Sequence, residues 1–255
     1  MPLLQPSTSE YSPWDIGNYM WGDPLILIVA VATLFVGLFV FASYLKSRKT
    51  HLLLWAFSLF GFWIFYHQML IGGSLEVLIG AGFGYDVFSN FTAMLLALIP
   101  GLLAAGLLFD KDKKFGMYYL IYVVVLTVLY IVFLITGNAG WVDNTMLIAT
   151  IILFAVQLPS VVLIIALPIM KEGPLFPKNL VAVSGGFMAT TNIIMFLLML
   201  AEALGKGFNP AEGATIDILC MLVPFILVIS NLCLIYGILG TKDYGFEVSN
   251  VEFEE

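Results

Sequence analysis

His67, Glu202 and Asp217 are the residues of this 255-residue chain best suited to proton chemistry. Each falls in or beside a long apolar stretch, where an ionisable side chain is costly and so a functional suspect. An imidazole changes charge near neutral pH, and a carboxylate beside it would tune that change. The segment "FWIFYHQML" carries His67, the second of only two histidines; His51 is the other. With the apolar stretches as spans, His67, Glu202 and Asp217 share one depth near the outer surface. A haem or metal at His67 would need further ligands, and no second histidine lies at that depth. Met69, Met195, Met199 and Met221 carry thioethers of the right chemistry, but methionine in a bundle is ordinarily packing. No haem or copper is expected, and His67 is expected to meet headgroups, water or one of the outer carboxylates.

Ligand binding has a second set of candidates. Met188, Asn192, Met195, Met199 and Glu202 recur at intervals of four, three, four and three, which sets them on one helix face. Asp217, Cys220, Pro224 and Asn231 form a comparable stripe further on. Together with Gln157, the residues Met188, Asn192, Met195, Met199 and Asn231 predict an apolar pocket with a few polar points, suited to a small hydrophobic ligand. The competing expectation is that the amides only join helices through hydrogen bonds. Pro100, Pro159 and Pro224 each leave a carbonyl without its helix partner and bend the chain there.

The elements that must position these residues follow from composition. Hydrophobic residues make up 61% and charged residues 11% of the chain, against roughly 25% charged in soluble domains. A bilayer needs about 20 apolar residues per helical span. Seven stretches qualify: 24–45, 51–72, 91–109, 116–136, 145–170, 179–204 and 215–239. Barrel strands would alternate with period two, and an open sheet would leave backbone groups unpaired in lipid. The predicted fold is therefore an all-α bundle of seven transmembrane helices. Lys46, Arg48, Lys49, Lys111, Lys113, Lys114, Lys171, Lys178 and Lys242 all fall on alternate connections, and Lys206 alone falls on the other side. By the retention of basic loops in the cytoplasm, the N-terminus is outside and the C-terminus inside.

Three regions result: an outer segment 1–23, the helical domain 24–239 and an acidic cytoplasmic tail 240–255. The outer segment lacks the basic start of a cleaved leader. Within it, Ser12, Pro13 and Asp15 predict a short interfacial helix, with Trp14, Tyr19 and Trp21 in the aromatic belt. The tail sets Asp243, Glu247, Glu252, Glu254 and Glu255 against Lys242, a net charge of −4. The inner connections are expected to hold roughly 5–10 residues each, leaving little platform for an effector.

Motifs of soluble enzymes are missing: there is no phosphate-binding glycine loop and no metalloprotease histidine pair. Cys220 and Cys233 fall in the last span and make neither a disulfide framework nor a zinc pattern. No enzymatic activity and no nucleic-acid partner is expected. An internal repeat is hinted at by "AFSLFGF" in the second span beside "AVSGGFM" in the sixth, and by Pro100 in the third beside Pro224 in the seventh; the stronger reading is chance, since apolar sequences match one another easily and proline and glycine are ordinary in membrane helices.

In topology the chain resembles the rhodopsins, whose microbial members hold retinal on a lysine of the seventh helix. All nine lysines here fall in connections or tails, which excludes a covalent retinal. The stretch "SYLKSRKTHLLLWAFSLFGFWIFY" resembles the start of the seven-helix sensor regions of some prokaryotic histidine kinases. Length and orientation are also similar to those of seven-helix sugar transporters built as three plus one plus three helices, without their paired proline–glutamine signals. The sequence favours a non-enzymatic, receptor-like or sensory protein of the cell membrane. Its expected partners are the bilayer, a small apolar molecule, and a membrane or cytoplasmic protein. A small-solute transporter of the three-plus-one-plus-three kind is the alternative, and a membrane subunit of a respiratory or other complex the third reading.

Overall fold

The computed structural model describes residues 23–79, 83–138, 145–170, 175–203 and 214–240. Among these residues are seven helices and no strand: α1 (Asp23–Ser47), α2 (Thr50–Ile79), α3 (Phe83–Lys111), α4 (Lys113–Asn138), α5 (Thr145–Met170), α6 (Leu175–Ala203) and α7 (Ala214–Gly240). Three helical stretches among the described residues are long and apolar enough to cross a membrane, Ile28–Ser47, Lys113–Phe133 and Ile151–Met170. Shorter apolar stretches cover Thr50–Ile64 and Val228–Gly240. The expected interfacial helix near Pro13 and the acidic tail beyond Gly240 lie outside the described residues.

Several helices outrun the apolar windows that announce them. α2 continues to Ile79 past 72, and α3 starts at Phe83 instead of 91. Residues such as Glu76, Asp86 and Ser89 end an apolar run without ending a helix, because they neither lack an N–H nor strain the backbone. For the same reason the two described connections expected on the inner side are shorter than predicted. Arg48 and Lys49 alone join α1 to α2, and Asp112 alone joins α3 to α4.

Both turns have a local chemical cause. Arg48 takes a left-handed conformation (φ 56°), and its N–H donates to the Tyr44 carbonyl at 2.7 Å. That is the αL stop in which the first residue beyond a helix satisfies an orphan carbonyl. Asp112 serves two helices at once. Its N–H closes α3 on the Leu108 carbonyl at 2.7 Å, and its carboxylate accepts from the N–H groups of Lys114 at 2.7 Å and Phe115 at 3.3 Å. This caps the start of α4. The corner is tight enough that a Cβ on Gly116 would lie 2.7 Å from the Phe109 backbone nitrogen.

Packing follows an order that chain order alone does not dictate. α1 packs on α2, α2 on α3, α3 on α5, α5 on α6, α6 on α7 and α7 on α1, closing a ring of six helices. α4 lies outside this ring, against α3 and α5. The largest buried apolar cluster draws on all six ring helices, through residues such as Val29, Trp55, Leu103, Ile164, Val181 and Leu234, and takes no fully buried residue from α4. Val123 and Tyr130 of α4 pack instead with Leu153 and Val156 of α5 in a separate cluster. On its outer side α4 exposes Phe115, Tyr118, Ile121, Val125 and Val128. A continuous apolar surface of this kind suits lipid or another helix.

Candidate functional site: polar seams between two three-helix halves

The ring divides into α1–α2–α3 and α5–α6–α7, and contacts fall at matching positions in both halves, with donor and acceptor helices exchanged in the hydrogen bonds. In the first, the Ser58 hydroxyl donates to the Ile99 carbonyl at 3.0 Å. In the second, the Ser230 hydroxyl donates to the Ser184 carbonyl at 3.0 Å, which leaves Ser184 to donate to Ser230 Oγ at 3.1 Å. Three residues before each serine and seven beyond each partner, the next contact repeats. A Cβ on Gly106 of α3 would strike the Trp55 indole of α2, and one on Gly237 of α7 would strike Val181 of α6. A glycine is thus required at both places by close approach of the neighbouring helix.

The first helix of each half obeys the same register. Thr33 donates to the Val29 carbonyl one turn back at 2.6 Å, and Ser160 does so to the Val156 carbonyl at 2.5 Å. Four residues after each hydroxyl lies the contact with the second helix, Gly37 against Leu59 and Phe60, and Ile164 against Gly185. The small and large partners are exchanged between the helices, but the register is kept. This register differs from the proline alignment expected from sequence. Pro100 follows Ile99, and the residue that follows its counterpart Ser230 is Asn231, so Pro224 is not the equivalent of Pro100.

The halves meet at two seams, α1 on α7 and α3 on α5. At the first, Asn231 Nδ2 donates to Thr33 Oγ1, and Asn231 is fully buried. Thr33 has already given its proton to Val29, so it can only accept; this fixes the amide with its N–H toward α1. Asn231 Oδ1 is then a buried acceptor with no hydrogen-bond partner among the described residues. Leaving such a group unmatched costs about 1–3 kcal/mol, so its place in the fold calls for a reason.

Beside the second seam, hydrogen bonds tie α4 to α5 without crossing from α3 to α5. Tyr119 of α4 shares a hydrogen bond with Ser160 at 2.7 Å; since Ser160 donates to Val156, Tyr119 is the donor. Tyr122 donates to the Ala155 carbonyl at 2.6 Å. That carbonyl is the one Pro159 cannot serve, because proline has no N–H for the residue four places back. The bend at Pro159 is therefore matched from a neighbouring helix. A recess between α3, α4 and α5, bordered by Met94, Leu126, Tyr130 and Leu153, is too narrow to admit water.

Of the residues expected to line a pocket, Asn231 is at the seam of α1 and α7, Gln157 is buried on α5, and Met188 packs in the main core. The side chains of Asn192, Met195, Met199 and Glu202 on α6, of Asp217 and Pro224 on α7, and of His67 on α2 lie outside the described residues. Their shared outer depth and common stripe are thus left as expectations. Pro100 is buried inside α3. The seam hydroxyls Thr33 and Ser160 were not anticipated, since nothing distinguishes them from the many hydroxyls that bond only their own helix.

At the end of the bundle where α1 turns into α2, His51 stacks on Trp55 with ring centres 5.1 Å apart. Its Nδ1 lies 3.9 Å from Asp110 Oδ1. Exposed around the two turns are Lys46, Arg48, Lys49, Lys111, Lys113 and Lys114. Arg48 lies over the Tyr44 ring at 5.9 Å and Lys114 over Tyr118 at 6.0 Å. Cations with aromatic stems of this kind suit a headgroup region.

Comparison with family models, curated proteins and solved structures finds no match to this chain.

Proposed function

We propose that the chain is a seven-span protein of the cell membrane that moves a small solute between two similar three-helix halves, with its N-terminus outside and its acidic tail in the cytoplasm. The observation that carries this reading is the repeated register of the closed six-helix ring, with α4 set outside it. Three helices followed by one linker helix return the second half to the same orientation, which is how parallel repeats arise in transporters. Two like halves meeting along polar seams provide two bodies that can rock against each other, with the solute between them. The chemistry needed is binding and motion, with no bond made or broken in the solute, so no enzymatic group is required.

The basic residues at the two inner turns support the orientation, because lysine and arginine near helix ends are retained in the cytoplasm. A receptor-like role keeps one supporting observation. The described part of the ring is densely packed, as suits a module that changes state on binding without opening a path.

Stopped-flow light scattering of proteoliposomes separates these readings. Under an inward gradient of urea or glycerol, the carrier reading predicts swelling at least tenfold faster than in empty liposomes. Swelling no faster than the empty control for any small neutral solute, with a melting temperature raised by an apolar ligand, would favour the receptor.

A further inference from the structure

Asn231 is fully buried on α7, its N–H is given to Thr33 of the other half, and its carbonyl oxygen meets no donor among the described residues. We propose that this carbonyl is a binding point for a small neutral solute that carries a hydroxyl or N–H donor. The inference deepens the carrier reading and rests on it for the identity of the bound species as cargo.

Three features define the ligand chemistry. First, the vacant atom is an acceptor, and the hydrogen-bond chain from Asn231 through Thr33 to Val29 prevents the amide from turning to offer a donor instead. A ligand must therefore bring the proton. Second, the buried polar residues of the described mid-helix region are hydroxyls and amides, among them Ser58, Gln157, Ser160, Ser184 and Ser230; the buried histidine lies at the basic end. A neutral polar solute meets no charge cost there, whereas an ion would find no counter-charge among them. Third, the equivalent position in the other half is Pro100, whose missing N–H leaves the Leu96 carbonyl without its helix donor. Each half thus has acceptor capacity at the same place in its register, one from a side chain and one from the backbone.

The hydrophobic ligand expected from the methionine stripe would leave the Asn231 carbonyl unmatched. A donor-bearing solute satisfies it, and this assigns Asn231 a ligand role over a purely helix-joining one.

The test uses the full chain reconstituted in lipid, with glycerol as the probe. Infrared difference spectra with and without glycerol should show a side-chain amide carbonyl band shifted to lower frequency, and Asn231→Leu should abolish it. Trimethylamine N-oxide, of similar size and without a donor, should give no such band. A missing band in the wild type, the same band in Asn231→Leu, or an equal shift with trimethylamine N-oxide overturns the proposal. Should the leucine variant not fold, Asn231→Asp replaces it, since its carboxyl absorbs elsewhere and the amide band must vanish. Glycerol flux is read in parallel on the same liposomes. Flux without the band rejects this site and leaves the carrier reading intact, and the band without flux keeps the site and rejects the carrier.

Discussion

Single atoms at helix contacts decide whether the halves close. Gly106→Ala places a Cβ against the Trp55 indole, and overpacking of that kind costs about 1–3 kcal/mol. Gly186, one residue after the crowded Gly185, has nothing within 4 Å of an added Cβ. Gly186→Ala should therefore be neutral or stabilise by about 0.5–1 kcal/mol through helix propensity. Melting in detergent, followed by circular dichroism, checks both, and the two alanines should move the transition in opposite directions or leave Gly186→Ala unchanged. Asn231 was legible in the sequence as a polar point in an apolar helix. Thr33 was not, because a helical hydroxyl ordinarily satisfies itself on the carbonyl one turn back, and only the fold shows that Thr33 also accepts from α7.

At the scale of elements, α4 is fastened to α5 by Tyr119 and Tyr122. Tyr122→Phe should expose the Ala155 carbonyl at the Pro159 bend and cost on the order of 1 kcal/mol, the lower end for an unmet acceptor because Tyr122 lies at the surface. Removing both hydroxyls should cost more than the sum of the two single changes, since they hold the same pair of helices. Hydrogen exchange along α4 reports this, with faster exchange in the double variant than in either single one. The helices themselves were readable from apolar length, and their ends were not, since polar residues extend a helix without disturbing its backbone. In the register of the contacts Ser58 lies opposite Ser184, whereas Pro100 lies opposite Asn231 and not Pro224. Helix pairing sets the register, and a sequence of mostly interchangeable aliphatic residues carries little record of it.

At the scale of the whole molecule the described helices form a ring, and the proposed orientation can be tested directly. On a cysteine-free background, Lys49→Cys and Asp112→Cys in right-side-out vesicles should react with a membrane-impermeant maleimide only after permeabilisation. Labelling of intact vesicles would reverse the orientation. Motion between the halves is the central claim, and cross-links at chosen contacts test it most directly. A Cβ on Gly101 of α3 would lie 3.5 Å from a Val156 methyl of α5, across a seam between halves. Ser184 and Ser230, with hydroxyls 3.1 Å apart, lie within one half. Both distances put paired cysteines within reach of a disulfide. Glycerol flux is then measured before and after oxidation for Gly101→Cys/Val156→Cys, with Val123→Ala to make room, and for Ser184→Cys/Ser230→Cys. Two rocking halves predict that the first disulfide stops flux and reduction restores it, while the second leaves flux unchanged. Undiminished flux through a protein fully cross-linked from α3 to α5 would contradict the two-body mechanism.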